Sequence, residues 1–316
     1  MCTPEGASSF LSTFPFVPSL VVPRPRAPHS FPMMAPSPPH DAHIRRRAAE
    51  LAAHAESLSR RILEVTAPLY ILNADREPEA IGSSVLIMIG EVRLLLTAAH
   101  VLDWRKQKPM FAGVSGGLIP VVDGAIRIFA ETAKTVDDDH VDIGVVRLGG
   151  DNWQTVPQSA FTTWDELDHA PPIADRHTFA LIGYPLTKQR DAIKGTILEA
   201  RAYPLAALET QPSVYGALGR DPTVSLVLGF DKRQVWSPQG LVTAPDMHGV
   251  SGGGVWRFGR RLRNASEAPK LSGIAIEWEK RGRYKHVLAT RIRPILAGMA
   301  RTHPDIGEHI RAAIAE

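Results

Sequence analysis

Three short stretches of this sequence carry residues able to do acyl-transfer chemistry. The most telling is His248-Gly249-Val250-Ser251-Gly252-Gly253-Gly254-Val255-Trp256, a serine set between glycines with an apolar strand following at once. Glycine lets the backbone turn tightly and bring its amides to one point. A tetrahedral oxyanion needs donors placed in that way before it forms. In such a turn the amides of Gly249 and Ser251 are the candidate donors. A serine hydroxyl is a weak nucleophile until a base takes its proton. Upstream, residues 92–102 read as a buried strand that ends in small residues and then His100. In Val141-Asp142-Ile143-Gly144-Val145-Val146-Arg147-Leu148, Asp142 heads another apolar strand. A shielded carboxylate there can hold the far nitrogen of an imidazole and stabilise its charged form. Its competitors Asp137, Asp138 and Asp139 sit in a charged run of the kind that is usually solvated.

Thr97-Ala98-Ala99-His100, Asp142-Ile143-Gly144-Val145-Val146 and Gly249-Val250-Ser251-Gly252-Gly253 resemble the three signature blocks of chymotrypsin-like (trypsin-fold) serine proteases. They stand in that family's order, His then Asp then Ser, and the resemblance extends over about residues 68–295. It implies a mainly β fold of two antiparallel six-stranded β-barrels with an N-terminal and a C-terminal helix. It also implies a serine endopeptidase acting on polypeptides through an acyl-enzyme. Ser251 would be the nucleophile, His100 the base and Asp142 the orienting acid, with the Gly249 and Ser251 amides as the oxyanion hole. The strand carrying Ile276, Glu277 and Trp278 would pair edge-on with the substrate backbone. No cofactor is implied, and the histidines show no metal-ligand spacing.

Substrate choice is left open at this level. Trypsin-type members carry an acid six residues before the serine; here that position is Pro245, and Asp246 is its neighbour. Asp246 and Glu277 together would favour a cationic side chain before the scissile bond. A pocket lined instead by Ala275 and Ile276 would favour small apolar ones. Two other functions compete. Gly249-Val250-Ser251-Gly252-Gly253 also satisfies the Gly-x-Ser-x-Gly nucleophile elbow of α/β-hydrolase esterases. That fold wants a helix after the serine and the acid and histidine downstream, whereas this chain runs strand after strand. The remaining rival is a binding module on the protease fold with little turnover, although a binder has no need of all three polar residues. His248 reads as an exposed loop residue.

The elements that must position these residues can be read along the chain. Residues 1–40 hold ten of the 26 prolines and read as a disordered leader. Residues 41–65 carry Ile44, Ala48, Leu51, Ala55, Leu58, Ile62 and Val65 at spacings of four and three, one apolar seam of a helix. That seam is expected to pack on the body of the protein, with dimerisation through it as the alternative. The peptidase domain would follow over 67–316, with barrel 1 at about 67–150 and barrel 2 at about 175–295. Strands are expected at 68–72, 80–89, 91–98, 118–122, 125–129 and 143–147, then at 177–184, 195–202, 225–230, 240–243, 253–258, 272–278 and 286–292. Residues 149–175 read as the connection between lobes, and 203–223 and 259–270 as insertions, the latter basic through Arg260, Arg261 and Arg263. The chain from 294 to 315 reads as helix, broken at Pro304.

Composition agrees with a soluble globular domain: 44% hydrophobic and 22% charged residues. A net charge of +3 gives no reason to expect nucleic acid. Cys2 is the only cysteine, so no intrachain disulfide holds the fold. That suits a cytoplasmic protein. The apolar run 10–22 keeps secretion as the alternative, although Pro15 and Pro18 interrupt it and Glu5 precedes it. Met33 and Met34 are further candidate start sites. No apolar run is long enough to span a membrane.

Overall fold

The computed structural model describes residues 19–21, 60–122, 124–128, 140–169, 178–186, 203–230, 235–237, 240–243, 246–258, 268–279 and 285–315. Its strands, in chain order, are β1 (Ser19–Val21), β2 (Thr66–Leu72), β3 (Pro78–Ile89), β4 (Val92–Ala98), β5 (Met110–Val114), β6 (Gly117–Pro120), β7 (Ala125–Ile128) and β8 (Ile143–Arg147). The second half adds β9 (Thr178–Gly183), β10 (Tyr203–Glu209), β11 (Ser225–Phe230), β12 (Val235–Ser237), β13 (Gly240–Val242), β14 (Gly254–Phe258), β15 (Lys270–Glu279) and β16 (Lys285–Arg291). The protein is mainly β, built on two sheets.

The N-terminal sheet has the order β6-β5-β2-β3-β4-β8-β7, antiparallel throughout. β3 is long because its first half pairs with β2 and its second half with β4. β4 is apolar on both faces, and Leu94, Leu95, Leu96 and Ala98 are at most 1% exposed. Each of these leucines contributes about 1.5–3 kcal/mol relative to exposure. In the C-terminal sheet, β9, β10, β11, β16, β15 and β14 pair in a ring, so six antiparallel strands close into a barrel. The expectation of two closed six-stranded barrels therefore holds for this half alone. The N-terminal sheet has seven strands, and no pairing among the described residues joins its outer strands.

Other expectations shift. Ser19–Val21 lies in the proline-dense leader expected to be disordered, yet β1 pairs parallel to β10 and antiparallel to β12. The apolar pair Leu20-Val21 between prolines suffices for a short strand. Residues 203–223, expected as an insertion, contain barrel strand β10 and the helix Pro212–Ala217. Pro204 and the run Leu205-Ala206-Ala207-Leu208 disguise β10, because proline and alanine have weak strand preference and the run shows no alternation. β5 also went unanticipated, for the same reason at Ala112 and Gly113. The strand expected at 195–202, the basic run 260–263 and the part of the expected helix over 41–59 lie outside the described residues. Residues 60–64 are helical, and Ile62 and Val65 of the expected seam are fully buried.

The connection between the sheets is more than a loop. It carries the short helices Asp151–Gln154, Gln158–Ala160 and Trp164–Glu166, and Trp153 and Phe161 are buried beneath them. Thr163 and Glu166 cap the last of these reciprocally. Arg61 docks here: its guanidinium donates to both carboxylate oxygens of Glu166 at 2.7 Å and to the carbonyls of Ser159 and Phe161. The connection is then fastened to the barrel by Asp168, which accepts two bonds from Arg257 at 2.8 Å and one from Ser272 at 2.6 Å. The chain ends in two helices, Ile292–Thr302 and Pro304–Ala315, parted at Pro304 as expected. No described helix is long and apolar enough to cross a membrane.

Candidate active site

His100 follows β4 at once, in the one-turn helix Ala99–Leu102, and Asp142 immediately precedes β8. These strands are paired, with Ala98 opposite Ile143, so the register alone sets the two residues side by side. His100 Nδ1 lies 2.6 Å from Asp142 Oδ2, and the His100 amide donates to Asp142 Oδ1 at 3.1 Å. The Asp142 carbonyl accepts from the Ala99 amide at 2.8 Å. Two such contacts to one carboxylate fix both partners, and they leave Nε2 as the imidazole nitrogen available to the cleft. The acid is shielded and the base open, with side-chain exposures of 18% and 48%.

Asp142 adopts φ 42°, in the left-handed region. Asp and Asn enter that region at least cost among side-chain-bearing residues. The strain is held from both sheets, since the carbonyl of the preceding Val141 accepts from buried Thr290 of β16 at 2.6 Å. Arg127 of β7 also reaches Asp142, Nη2 to Oδ1 at 3.2 Å, and lies 3.7 Å from Asp103. The other candidate acids, Asp137 to Asp139, lie outside the described residues.

Ser251 comes from the turn that leads into β14. Two glycines make that turn possible, each at φ 88°. A Cβ at Gly252 would fall 1.9 Å from the Ser83 carbonyl, and one at Gly249 would fall 2.8 Å from the Tyr184 carbonyl. The direction of the turn's amides follows from where its carbonyls are held. The His248 carbonyl accepts from the Leu186 amide at 2.8 Å, and the Val250 carbonyl from the Gly253 amide at 2.8 Å. The chain has no cis peptide among its described residues, so each pinned C=O turns the N–H of its own peptide the opposite way. Those N–H groups belong to Gly249 and Ser251. Among the described residues neither has an acceptor, while the neighbouring amides of Val250, Gly252 and Gly253 are bonded to Met247, Ala275 and Val250. Buried amides are paired almost without exception in folded proteins. Two amides without an acceptor beside a serine hydroxyl are candidate donors to an anionic oxygen.

One residue of the N-terminal sheet holds this turn, and sequence reasoning missed it. Ser83 is fully buried in β3. Its amide donates to the Ser251 carbonyl at 2.9 Å, its hydroxyl donates to the Gly249 carbonyl at 2.7 Å and accepts from the Tyr184 amide at 2.8 Å. Thr97, three residues before His100, donates to the Ser83 carbonyl at 2.7 Å. The strand that leads to His100 and the turn that carries Ser251 thus meet on one residue, Thr97 at its carbonyl and the turn at its amide and hydroxyl. The only sequence signal was a pair of hydroxyls, Ser83 and Ser84, in an otherwise apolar strand.

His100, Asp142, Gly249 and Ser251 all line one open cleft of about 1110 Å³ between the sheets. The Ser251 hydroxyl is 3.5 Å from the Ile276 carbonyl, beyond good O–H···O distance, and no hydrogen bond joins it to His100 among the described residues. Ile276, Glu277 and Trp278 line the same cleft. β14 pairs with β15 only as far as Ile274, and Ala275 is bonded instead to Gly252 and Gly253 of the Ser251 turn. Glu277 is engaged by Arg220 at 3.1 Å, and Asp246 is absent from the described lining. His248 is exposed, as expected, and lies 3.7 Å from Asp246. A strand follows Ser251 rather than the helix a nucleophile elbow requires. No group of three or more potential metal ligands exists among the described residues. No family model matches this sequence, and no curated protein matches it.

Proposed function

We propose that the protein is a serine endopeptidase of the chymotrypsin-like type, cleaving polypeptides through an acyl-enzyme. The observation that carries the reading is the meeting, in one cleft, of the bonded His100–Asp142 pair with the Ser251 turn, whose Gly249 and Ser251 amides have no acceptor among the described residues. On this reading the N-terminal sheet corresponds to the first barrel of that fold. His100 Nε2 removes the Ser251 proton as Oγ attacks the scissile carbonyl carbon. The carbonyl oxygen becomes an oxyanion held by the Gly249 and Ser251 amides, each such donor worth about 10²–10³ in turnover. Imidazolium, stabilised through Nδ1 by Asp142, returns the proton to the leaving amine as the C–N bond breaks. Water, deprotonated by His100, then releases the acid and restores Ser251. The substrate lies as an added strand along β15 beyond Ala275. Closing of the Ser251–His100 bond belongs to the substrate-bound state, where catalytic hydrogen bonds commonly tighten.

Incubating the full chain with an unfolded protein and sequencing the products tests this. Wild type is expected to cut at internal peptide bonds while Ser251→Ala binds the substrate and leaves it whole. Equal binding by both proteins with no cleavage by either would point to a binding module instead.

A further inference from the structure

We infer that the residue on the acyl side of the scissile bond is an uncharged aliphatic one; this rests on the hydrolase reading above. The free amides of Gly249 and Ser251 fix where the scissile carbonyl sits, so the side chain attached just before it must enter the wall beside the nucleophile turn. That wall is Met247, Val250, Ala275 and Val287. All four line the cleft, and none is more than 4% exposed. They are also members of one apolar cluster inside the barrel. Two are bonded directly to the turn: Met247 accepts from the Val250 amide at 3.0 Å, and Ala275 exchanges bonds with Gly252 and Gly253 at 2.7 and 2.9 Å. The position of this wall relative to Ser251 is therefore rigid.

The two carboxylates that would recognise a cation are otherwise engaged. Asp246 does not belong to the described lining of the cleft and accepts from the His248 amide at 3.3 Å. Glu277 does line the cleft, but its carboxylate is held by Arg220, whose side chain is only 11% exposed. Glu277 and Arg220 balance one another at the cleft, so neither presents an uncompensated charge to an incoming side chain. A charge of either sign would also lose its water against the methyl groups and thioether of that wall, none of which can hydrogen-bond it. An aliphatic side chain loses nothing there, and each methylene that fits is worth roughly ten- to two-hundred-fold in kcat/KM.

The test is a peptide mixture with all residues represented before the scissile bond, digested by the full-length protein and read by mass spectrometry. Cleavage after Ala, Val, Leu or Met is expected to exceed cleavage after Arg, Lys, Asp or Glu by at least about tenfold in kcat/KM. Val287→Ala should move the preference toward larger side chains and Ala275→Val toward smaller ones, opposite shifts that a general loss of fold cannot produce. Cuts made mainly after charged residues, yet absent in Ser251→Ala, overturn the inference and leave the hydrolase reading standing. So does a preference that neither substitution moves. A protein that cuts nothing and whose Ser251 resists a fluorophosphonate overturns both.

Discussion

At the scale of single residues, the chemistry depends on a few atoms whose directions are set by others. Ser251→Ala or His100→Ala is expected to lower kcat by on the order of 10⁶-fold with thermal stability preserved, because members of such a unit fail together. Asp142→Asn leaves His100 able to adopt the wrong tautomer, and a loss on the order of 10⁴-fold is expected. Ser83 offers a different kind of test, since it touches no substrate. Ser83→Ala removes the donor to Gly249 and strands the Tyr184 amide. The expected outcome is a stability loss of about 1–3 kcal/mol. A fall in kcat of about tenfold or more at nearly constant KM should accompany it, because the oxyanion site loosens while the substrate strand does not. A change in KM alone would show that Ser83 merely supports the wall. His100, Asp142 and Ser251 were legible in the sequence because each stands in a distinctive local context. Ser83, Arg127 and Arg220 were not, since what they do lies in contacts across 166, 15 and 57 residues.

At the scale of elements, short pieces of chain are pinned where two sheets must stay in register. The Arg61–Glu166 fork holds the described end of the N-terminal helix to the connection between sheets. Burial by itself would raise the Glu166 pKa, but the Arg61 bond and the Thr163 amide outweigh it and hold the carboxyl below its ordinary range. A depressed folded value means that the fork's contribution is full above the ordinary glutamate range and is lost as pH falls through the folded value. Wild type is therefore expected to exceed Glu166→Gln in Tm by roughly 2–6 °C at neutral pH. That gap should close between about pH 5 and pH 3; a gap independent of pH would contradict the ion-pair account. Strands with β-branched or leucine-rich runs, such as β4, β8 and β11, were plain in the sequence. β10 was hidden by proline and alanine, and the connection by the absence of any period, because its order comes from capping and two buried aromatic rings.

At the scale of the whole molecule, the cleft draws on both sheets, with His100 and Asp142 from one and the Ser251 turn and Ile276 to Trp278 from the other, which the proposed reading takes as base and acid, nucleophile and substrate edge. That division was visible in the order of the three blocks, whereas closure of a barrel depends on pairings such as β10 with β11 that no local pattern announces. The leader takes part as well. Removing residues 1–18 is expected to leave Tm nearly unchanged, while removal through Val21 bares the edges of β10 and β12 and should lower Tm by a few degrees and promote association. Equal melting of the two truncations would show that β1 adds nothing. The central claim, that the parts in the cleft act as one acylating unit, is tested most directly by treating the folded protein with a fluorophosphonate and locating the adduct by mass. One phosphonyl group per chain, on Ser251, abolished by unfolding and by His100→Ala, is the predicted result. A folded wild-type chain that takes up none, or carries the group on another serine, would contradict it.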